Sequence, residues 1–149
     1  MLEITRTRRI AAPASDLWSR LADFGAIARW AANVDHSCLL THEDDAGVGA
    51  VRRVQVGRTT LLECVVRWEP EVALAYRLEG LPPIVRSVVN EWHLESAGDA
   101  TLVTLRTEIE PGPRPPEKAV AKLLGRRLAK ASDVMLDGLA AQAHTREAA

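Results

Sequence analysis

Cysteine is scarce: Cys38 and Cys64 are the only two in 149 residues. Each sits in an apolar, strand-like run, and neither belongs to a CxxC or a Cys/His metal spacing, so no metal site is expected and both thiols are expected to be small buried hydrophobes. An excess of charge of either sign is also missing. Nineteen Lys and Arg against 20 Asp and Glu leave a formal net charge of -1, which gives no overall field toward nucleic acid or an anionic membrane. Arg6, Arg8 and Arg9 form one local basic patch and Arg126, Arg127 and Lys130 another; with no aromatic residues interleaved, both read as solvated faces. Long hydrophobic runs are absent as well. No stretch approaches the roughly 20 apolar residues of a membrane span, and the opening MLEITRTRR lacks an apolar core of signal-peptide length. The expectation is a chain in a reducing, cytoplasmic setting, with no nucleic-acid partner and no membrane span.

What is present is an ordinary globular composition, 47% hydrophobic and 26% charged, with enough chain for one domain over residues 1–149 that buries about two thirds of its unfolded surface. No repeat, low-complexity block or long linker divides it. Residues 2 to 10 alternate as a half-buried strand, with Leu2, Ile4 and Ile10 on one parity. Pro13, Ser15 and Asp16 then supply helix-start chemistry, followed by a short helix carrying Leu17, Trp18 and Leu21 inward. Gly25 interrupts it, and residues 26 to 30 form a second short turn of helix. Strands follow over residues 34–41, 50–56, 60–68, 73–78, 85–95 and 101–110, punctuated by Asp44-Asp45-Ala46-Gly47, Gly57-Arg58, Glu69-Pro70, Gly80-Leu81-Pro82-Pro83 and Ala97-Gly98-Asp99. Connections this short make successive strands antiparallel neighbours. The proline-rich run from Pro111 to Pro116 stops strand formation, and residues 117 to about 144 carry a helical stripe of Val120, Leu124, Leu128, Ala131, Met135 and Leu139. The fold class is α+β, with one sheet face against the last helix.

This order of elements, together with Ile10-Ala11-Ala12-Pro13, Leu17-Trp18, Asp23-Phe24, Trp30, the run from Gly47 to Arg52, Leu78-Glu79-Gly80 and Asp99-Ala100-Thr101, resembles the START / birch pollen allergen-like superfamily. Within it, the chain is most similar to the bacterial polyketide cyclase/dehydrase-like proteins. The resemblance spans nearly the whole chain and implies a helix-grip fold: a seven-stranded curved antiparallel sheet wrapped around a long C-terminal helix, with two short helices after the first strand. It also implies a cavity for a small organic ligand. Where relatives often carry an Asp-Tyr pair near the start of the sixth strand, this chain has Ser87-Val88, which removes a cavity hydroxyl.

Strand parity nominates the cavity wall, because alternate side chains face opposite sides of a sheet. In the sixth strand Val88, Asn90, Trp92 and Leu94 are expected inside; in the fourth, Leu62, Cys64, Val66 and Trp68, leaving Leu61, Glu63, Val65 and Arg67 outside. The fifth places Leu74, Tyr76 and Leu78 inward and the seventh Val103, Leu105, Thr107 and Ile109. His36 shares parity with Val34, Cys38 and Leu40 and is expected inward, but its neighbours Asp35 and Ser37 point the other way, so the trio makes no catalytic triad. Arg52, with Val54 and Val56, is expected inward, where it must be paired, more readily with a core carboxylate than with a ligand. Gly47-Val48-Gly49 opens a strand and lacks the third glycine of a dinucleotide loop. The expected ligand wall is Trp30, His36, Arg52, Val54, Leu62, Cys64, Trp68, Tyr76, Val88, Asn90, Trp92 and Thr107 from the sheet side, and Leu124, Leu128, Ala131 and Met135 from the helix.

Three functions fit these residues. The first is binding of a small hydrophobic or aromatic ligand, favoured because no convincing acid/base pair emerges. The second is a cyclase, aromatase or dehydratase in the same cavity, with Arg52, Tyr76 or His36 as candidate catalytic groups. The third is a protein-interaction module. No cofactor is expected, and the assembly is expected to be a monomer or a homodimer.

Overall fold

Two residues are enough to turn an antiparallel strand back on its neighbour, and the chain does so at Gly57-Arg58 and at Gly98-Asp99. The computed structural model describes residues 1–81, 85–113 and 115–148. Pro82, Pro83 and Arg114, part of the expected punctuation, lie outside them. Strand β1 (Leu2–Ile10) is followed by helix α1 (Ala14–Ala22), a 3-10 helix (Phe24–Arg29), β2 (His36–Leu39), β3 (Val51–Val56), β4 (Thr59–Glu69), β5 (Ala73–Glu79), β6 (Val85–Ala97), β7 (Ala100–Pro111) and the long helix α2 (Pro115–Ala148). The curved sheet has the order β1-β7-β6-β5-β4-β3-β2, antiparallel throughout. Helix α2 packs on its inner face, chiefly against β1 and β7. No helix among the described residues is long and apolar enough to cross a membrane.

The 3-10 helix starts at Phe24, two residues earlier than the expected second turn of helix. Its backbone lies so close to β2 that a Cβ on Gly25 would stand 2.8 Å from the Leu39 nitrogen. Helix α1 opens on Pro13, whose own side chain makes no cap hydrogen bond, and Asp16 lies in its first turn. Leu17 and Leu21 are buried as expected, and half-buried Trp18 packs edge-on against Trp68.

The inner rows of the sheet follow from register. Val65, Tyr76, Asn90 and Thr107 lie opposite one another on β4, β5, β6 and β7. The next inner row is Trp68, Leu74, Trp92 and Leu105. The expected parity of β5, β6 and β7 therefore holds. That of β4 is reversed over most of its length: Leu61, Glu63 and Val65 are buried, while Leu62 and Val66 are exposed and Cys64 is half-buried on the outer face. The cause is a bulge between Val65 and Arg67, where one extra residue shifts the alternation and returns Trp68 to the inside. In β2, His36 and Cys38 are exposed, and Ser37 and Leu39 turn inward. Strand β2 begins only at His36; Val34 is buried from the preceding loop and Leu40 is exposed beyond the strand's end, so neither reports the strand's parity. Cys38 is thus an exposed free thiol and Cys64 a half-buried one.

On α2 the buried line runs through Ala121, Ser132, Met135, Leu136, Leu139, Ala140 and Ala143, with Leu124 and Leu128 packed partly against it. Val120 stands about a quarter turn off that line at 100° per residue and is exposed. Gly138 permits the closest approach: a Cβ there would collide with the Trp30 carbonyl oxygen.

Candidate functional site

The two-residue turn at Gly57-Arg58 pairs Val56 with Thr59 and so sets Arg52 directly opposite Glu63 on the inner face. The two side chains form a buried ion pair, Arg52 Nε donating to Glu63 Oε1 at 2.7 Å, with residue exposures of 2% and 6%. Arg52 Nη1 donates to the Phe24 carbonyl at 2.9 Å. The guanidinium lies 3.8 Å from the Phe24 ring centroid and 4.6 Å from that of Tyr76, a placement that supplies cation–π attraction where water cannot solvate the charge. Its Nη2 has no hydrogen-bond partner among the described residues. The expected structural pairing of Arg52 is what the fold contains.

Beside this pair runs a row of neutral polar groups. Thr107 Oγ1 donates to Asn90 Oδ1 at 2.6 Å, and Trp92 Nε1 donates to the Tyr76 hydroxyl oxygen at 3.2 Å. Burial pushes the Tyr76 pKa up and the nearby Glu63 charge adds to this, while Arg52 and the Trp92 and Asn90 hydrogen bonds pull against them. The phenol therefore stays protonated through the physiological range. Trp92 packs edge-on against Trp30, and Tyr76 against Phe24.

Between β3, β4, β5 and β6 on one side and α2 on the other lies a cavity of about 230 Å³. Its wall is mainly apolar: Ile27, Val34, Val54, Val56, Leu61 and Leu78 face Leu124, Leu128, Ala131 and Met135 of α2. Five polar side chains interrupt it, Asn33, Thr59, Glu63, Asn90 and Arg127. A few placed polar groups in an apolar wall are the usual make-up of a small-molecule site, although this volume lies below the usual range of about 300–1,000 Å³. A second, larger cleft of about 530 Å³ lies beside the 3-10 helix, lined among others by Asp23, Arg29, Ser37, His42 and Trp68.

Of the residues expected to form the ligand wall, Val54, Asn90, Leu124, Leu128, Ala131 and Met135 line the cavity. Trp30, Arg52, Tyr76, Val88, Trp92 and Thr107 are buried around it without lining it. Trp68 lines the larger cleft. His36 is exposed on the edge strand and Leu62 and Cys64 face outward, so these three are not wall residues. Sequence parity missed Glu63, which the reversed register of β4 brings inside, and Asn33, which lies in a loop that has no parity. Glu63 was open to inference: a buried arginine needs a carboxylate, and the turn at Gly57-Arg58 leaves Glu63 opposite it.

The solved structures similar to this fold include the aromatase/cyclase ZhuI from Streptomyces sp. R1128, with 21% identity over 97% of this chain and 94% of that one and a TM-score of 0.81. A START superfamily protein from Mycobacterium smegmatis matches at 18% identity over 96% and 97% of the two chains, with a TM-score of 0.73. The di-domain aromatase/cyclase StfQ of the steffimycin biosynthetic pathway matches at 14% identity over 99% of this chain and 52% of its own, with a TM-score of 0.80. At these identities the likeness speaks for the fold. No curated protein matches the sequence. The family model described as polyketide cyclase / dehydrase and lipid transport matches residues 1–144, and over that span, nearly the whole helix-grip fold, the chain belongs to this family.

Proposed function

We propose that this chain binds a small hydrophobic or aromatic molecule in the cavity between the sheet and α2, as a binding or transfer protein in the cytoplasm. The observation that carries the reading is the position of the three acid/base candidates. His36 is exposed on the edge strand; Arg52 is held by Glu63 and the Phe24 carbonyl; Tyr76 is buried against Trp92. None of them lines the cavity, so a molecule seated there meets a mostly apolar wall and none of these three groups. Two free thiols, one of them exposed, suit a reducing compartment.

The second reading is a cyclase, aromatase or dehydratase acting in the same cavity. What favours it is Glu63, a carboxylate on the cavity wall and the one titratable group there placed deep in the core. Native mass spectrometry of the purified protein identifies the bound molecule, and incubation of that molecule with substoichiometric protein then separates the readings. Binding predicts one equivalent retained and recovered unchanged. Conversion over many turnovers, lost in Glu63→Gln while thermal unfolding stays cooperative, would establish the enzyme and overturn the binding assignment.

A further inference from the structure

The N-terminal half of α2 carries an uncompensated row of positive charge. Lys118, Lys122, Arg126 and Lys130 stand four residues apart, so each lies about one turn beyond the last and is rotated by about 40°; all four are exposed. Like charges at this spacing repel and weaken the helix, and Lys118, in the first turn, also opposes the macrodipole. No Asp or Glu occurs between Lys118 and Ser132, and no ion pair is seen for any of the four among the described residues. Further along, the same helix follows the opposite rule: Asp133 and Asp137 pair with Arg6 and Arg8 of β1. Strand β1 offers the N-terminal half no carboxylate, since Leu2 and Ile4 meet it at Gly125 and Glu3, on the other parity, accepts a hydrogen bond from Thr5. A repulsive row kept without an internal counter-charge fits a partner that supplies the negative charge from outside.

The surface among these charges is not polar throughout. Leu123 is 60% exposed and Val120 37%. Around the helix axis, at about 100° per residue, Leu123 falls between the directions of Lys130 and Arg127, and Val120 just beyond Arg127. Arg127 is itself exposed and also lines the cavity, so this face continues into the cavity rim. On the sheet side of the cavity, exposed Arg58 sits in the turn between Val56 and Thr59, which both line it, and there the Asp35 carboxylate accepts the Gly57 N–H at 2.7 Å. We propose that the N-terminal half of α2 docks on an anionic lipid surface, with the row of four cations against the headgroups and Leu123 at the boundary with the acyl chains. An acidic protein would match the row and leave Leu123 and Val120 without apolar contact; a lipid surface matches both. The rim of an apolar cavity on the same face gives an apolar molecule a short passage between bilayer and protein. The docking face stands on the charge row and does not depend on the binding reading above.

Co-sedimentation of the protein with vesicles at about 0.1 M salt tests this. The probes are phosphatidylcholine alone, phosphatidylcholine with phosphatidylserine at about 3:1, and poly-L-glutamate as a polyanion without an apolar layer. The mixed vesicles are expected to bind at least about tenfold more tightly than the neutral ones, and salt at about 0.5 M to release the protein. Each cation near such a surface is worth about fivefold, so the triple variant Lys122→Ala, Arg126→Ala, Lys130→Ala binds the mixed vesicles at least about thirtyfold more weakly. It melts no lower than the native protein, because only like-charge neighbours are removed. Leu123→Ser weakens vesicle binding about fivefold and leaves binding of poly-L-glutamate unchanged. Absence of binding to the mixed vesicles, equal binding to neutral and mixed ones, or undiminished binding by the triple variant overturns the proposal. Poly-L-glutamate bound as tightly as the mixed vesicles, with no loss in Leu123→Ser, makes the face a site for acidic protein and overturns it too. Ligand retention in the cavity is read separately by native mass spectrometry, so failure of the docking face and failure of the binding reading are distinct results.

Discussion

The two halves of α2 do different work on the same sheet. From Ser132 to Ala143 the helix is closed down on the core: Leu136, Leu139, Ala140 and Ala143 are buried, Gly138 meets the Trp30 carbonyl, and Asp133 and Asp137 pair with Arg6 and Arg8 of β1. From Lys118 to Ala131 only its cavity side stands off, since Ala121 is buried and Gly125 packs against Leu2 and Ile4 of β1. Leu124, Leu128 and Ala131 line the cavity, Val120 and Leu123 are exposed, and no ion pair is seen for Lys118, Lys122, Arg126, Arg127 or Lys130 among the described residues. Dense packing in one half anchors the helix so that the other can border empty space, which no core tolerates without loss of contacts. Stability and binding are therefore divided along one helix, and substitutions in the two halves have different readouts.

Gly138→Leu is the most severe test of the closed half. Any side chain there must displace the backbone around Trp30, and overpacking of this kind costs about 3 kcal/mol, measured as loss of stability in urea. A variant that melts like the native protein would show that the halves are not distinct. Leu139→Ala against Leu128→Ala puts the same truncation in each half. Leu139 is fully buried, so its loss costs about 3 kcal/mol; half-buried Leu128, already beside a void, costs about 1 kcal/mol and changes ligand affinity, which Leu139→Ala does not.

Tyr76, Trp92 and Trp30 lie in contact beneath the closed half, and their dryness has a pH signature. The folded-state pKa of Tyr76 is raised by burial, so the stabilisation is fully present below about pH 10, the unfolded value, and is lost as pH rises through the folded one, by at most about 1.4 kcal/mol per pH unit. Tyr76→Phe removes that limb: stability measured from pH 9 to 11 falls less steeply in the variant than in the native chain. Identical slopes would mean that water reaches the hydroxyl. The smallest effects belong to the charges. Arg6→Ala breaks an exposed pair with Asp133 at 3.2 Å and costs at most about 0.5 kcal/mol, and Lys122→Ala, with no pair to break, changes less still.

Long strands made the fold legible. The alternation of β5 and β7, and of β6 beyond the irregularity at Val85 to Ser87, is regular, so Tyr76, Asn90, Trp92, Leu105 and Thr107 were placed on the correct face from sequence, and the α2 stripe was correct from Leu124 onward. Parity failed where its premise failed. In β4 one extra residue at Val66 inverts the alternation, and the apolar character of Leu61, Leu62, Val65 and Val66 on both faces hid the inversion. In β2 a four-residue strand is too short to carry a pattern, and Val34 and Leu40 borrowed from its flanks pointed His36 the wrong way. The cavity was the least legible part, because Ile27 and Asn33 reach it from a 3-10 helix and a loop, whose side-chain directions no strand or α-helix periodicity dictates.

The central claim is that the gap under the open half of α2 is where a ligand sits. Ala131 lines that gap, so Ala131→Trp fills it from the helix side while the contacts of Gly138 and Leu139 stay in place. Titration of naphthalene into both proteins is the direct measurement: the native chain binds with saturable heat, and the filled variant, with a melting temperature close to native, does not. Equal binding by Ala131→Trp would contradict the account and place the ligand elsewhere.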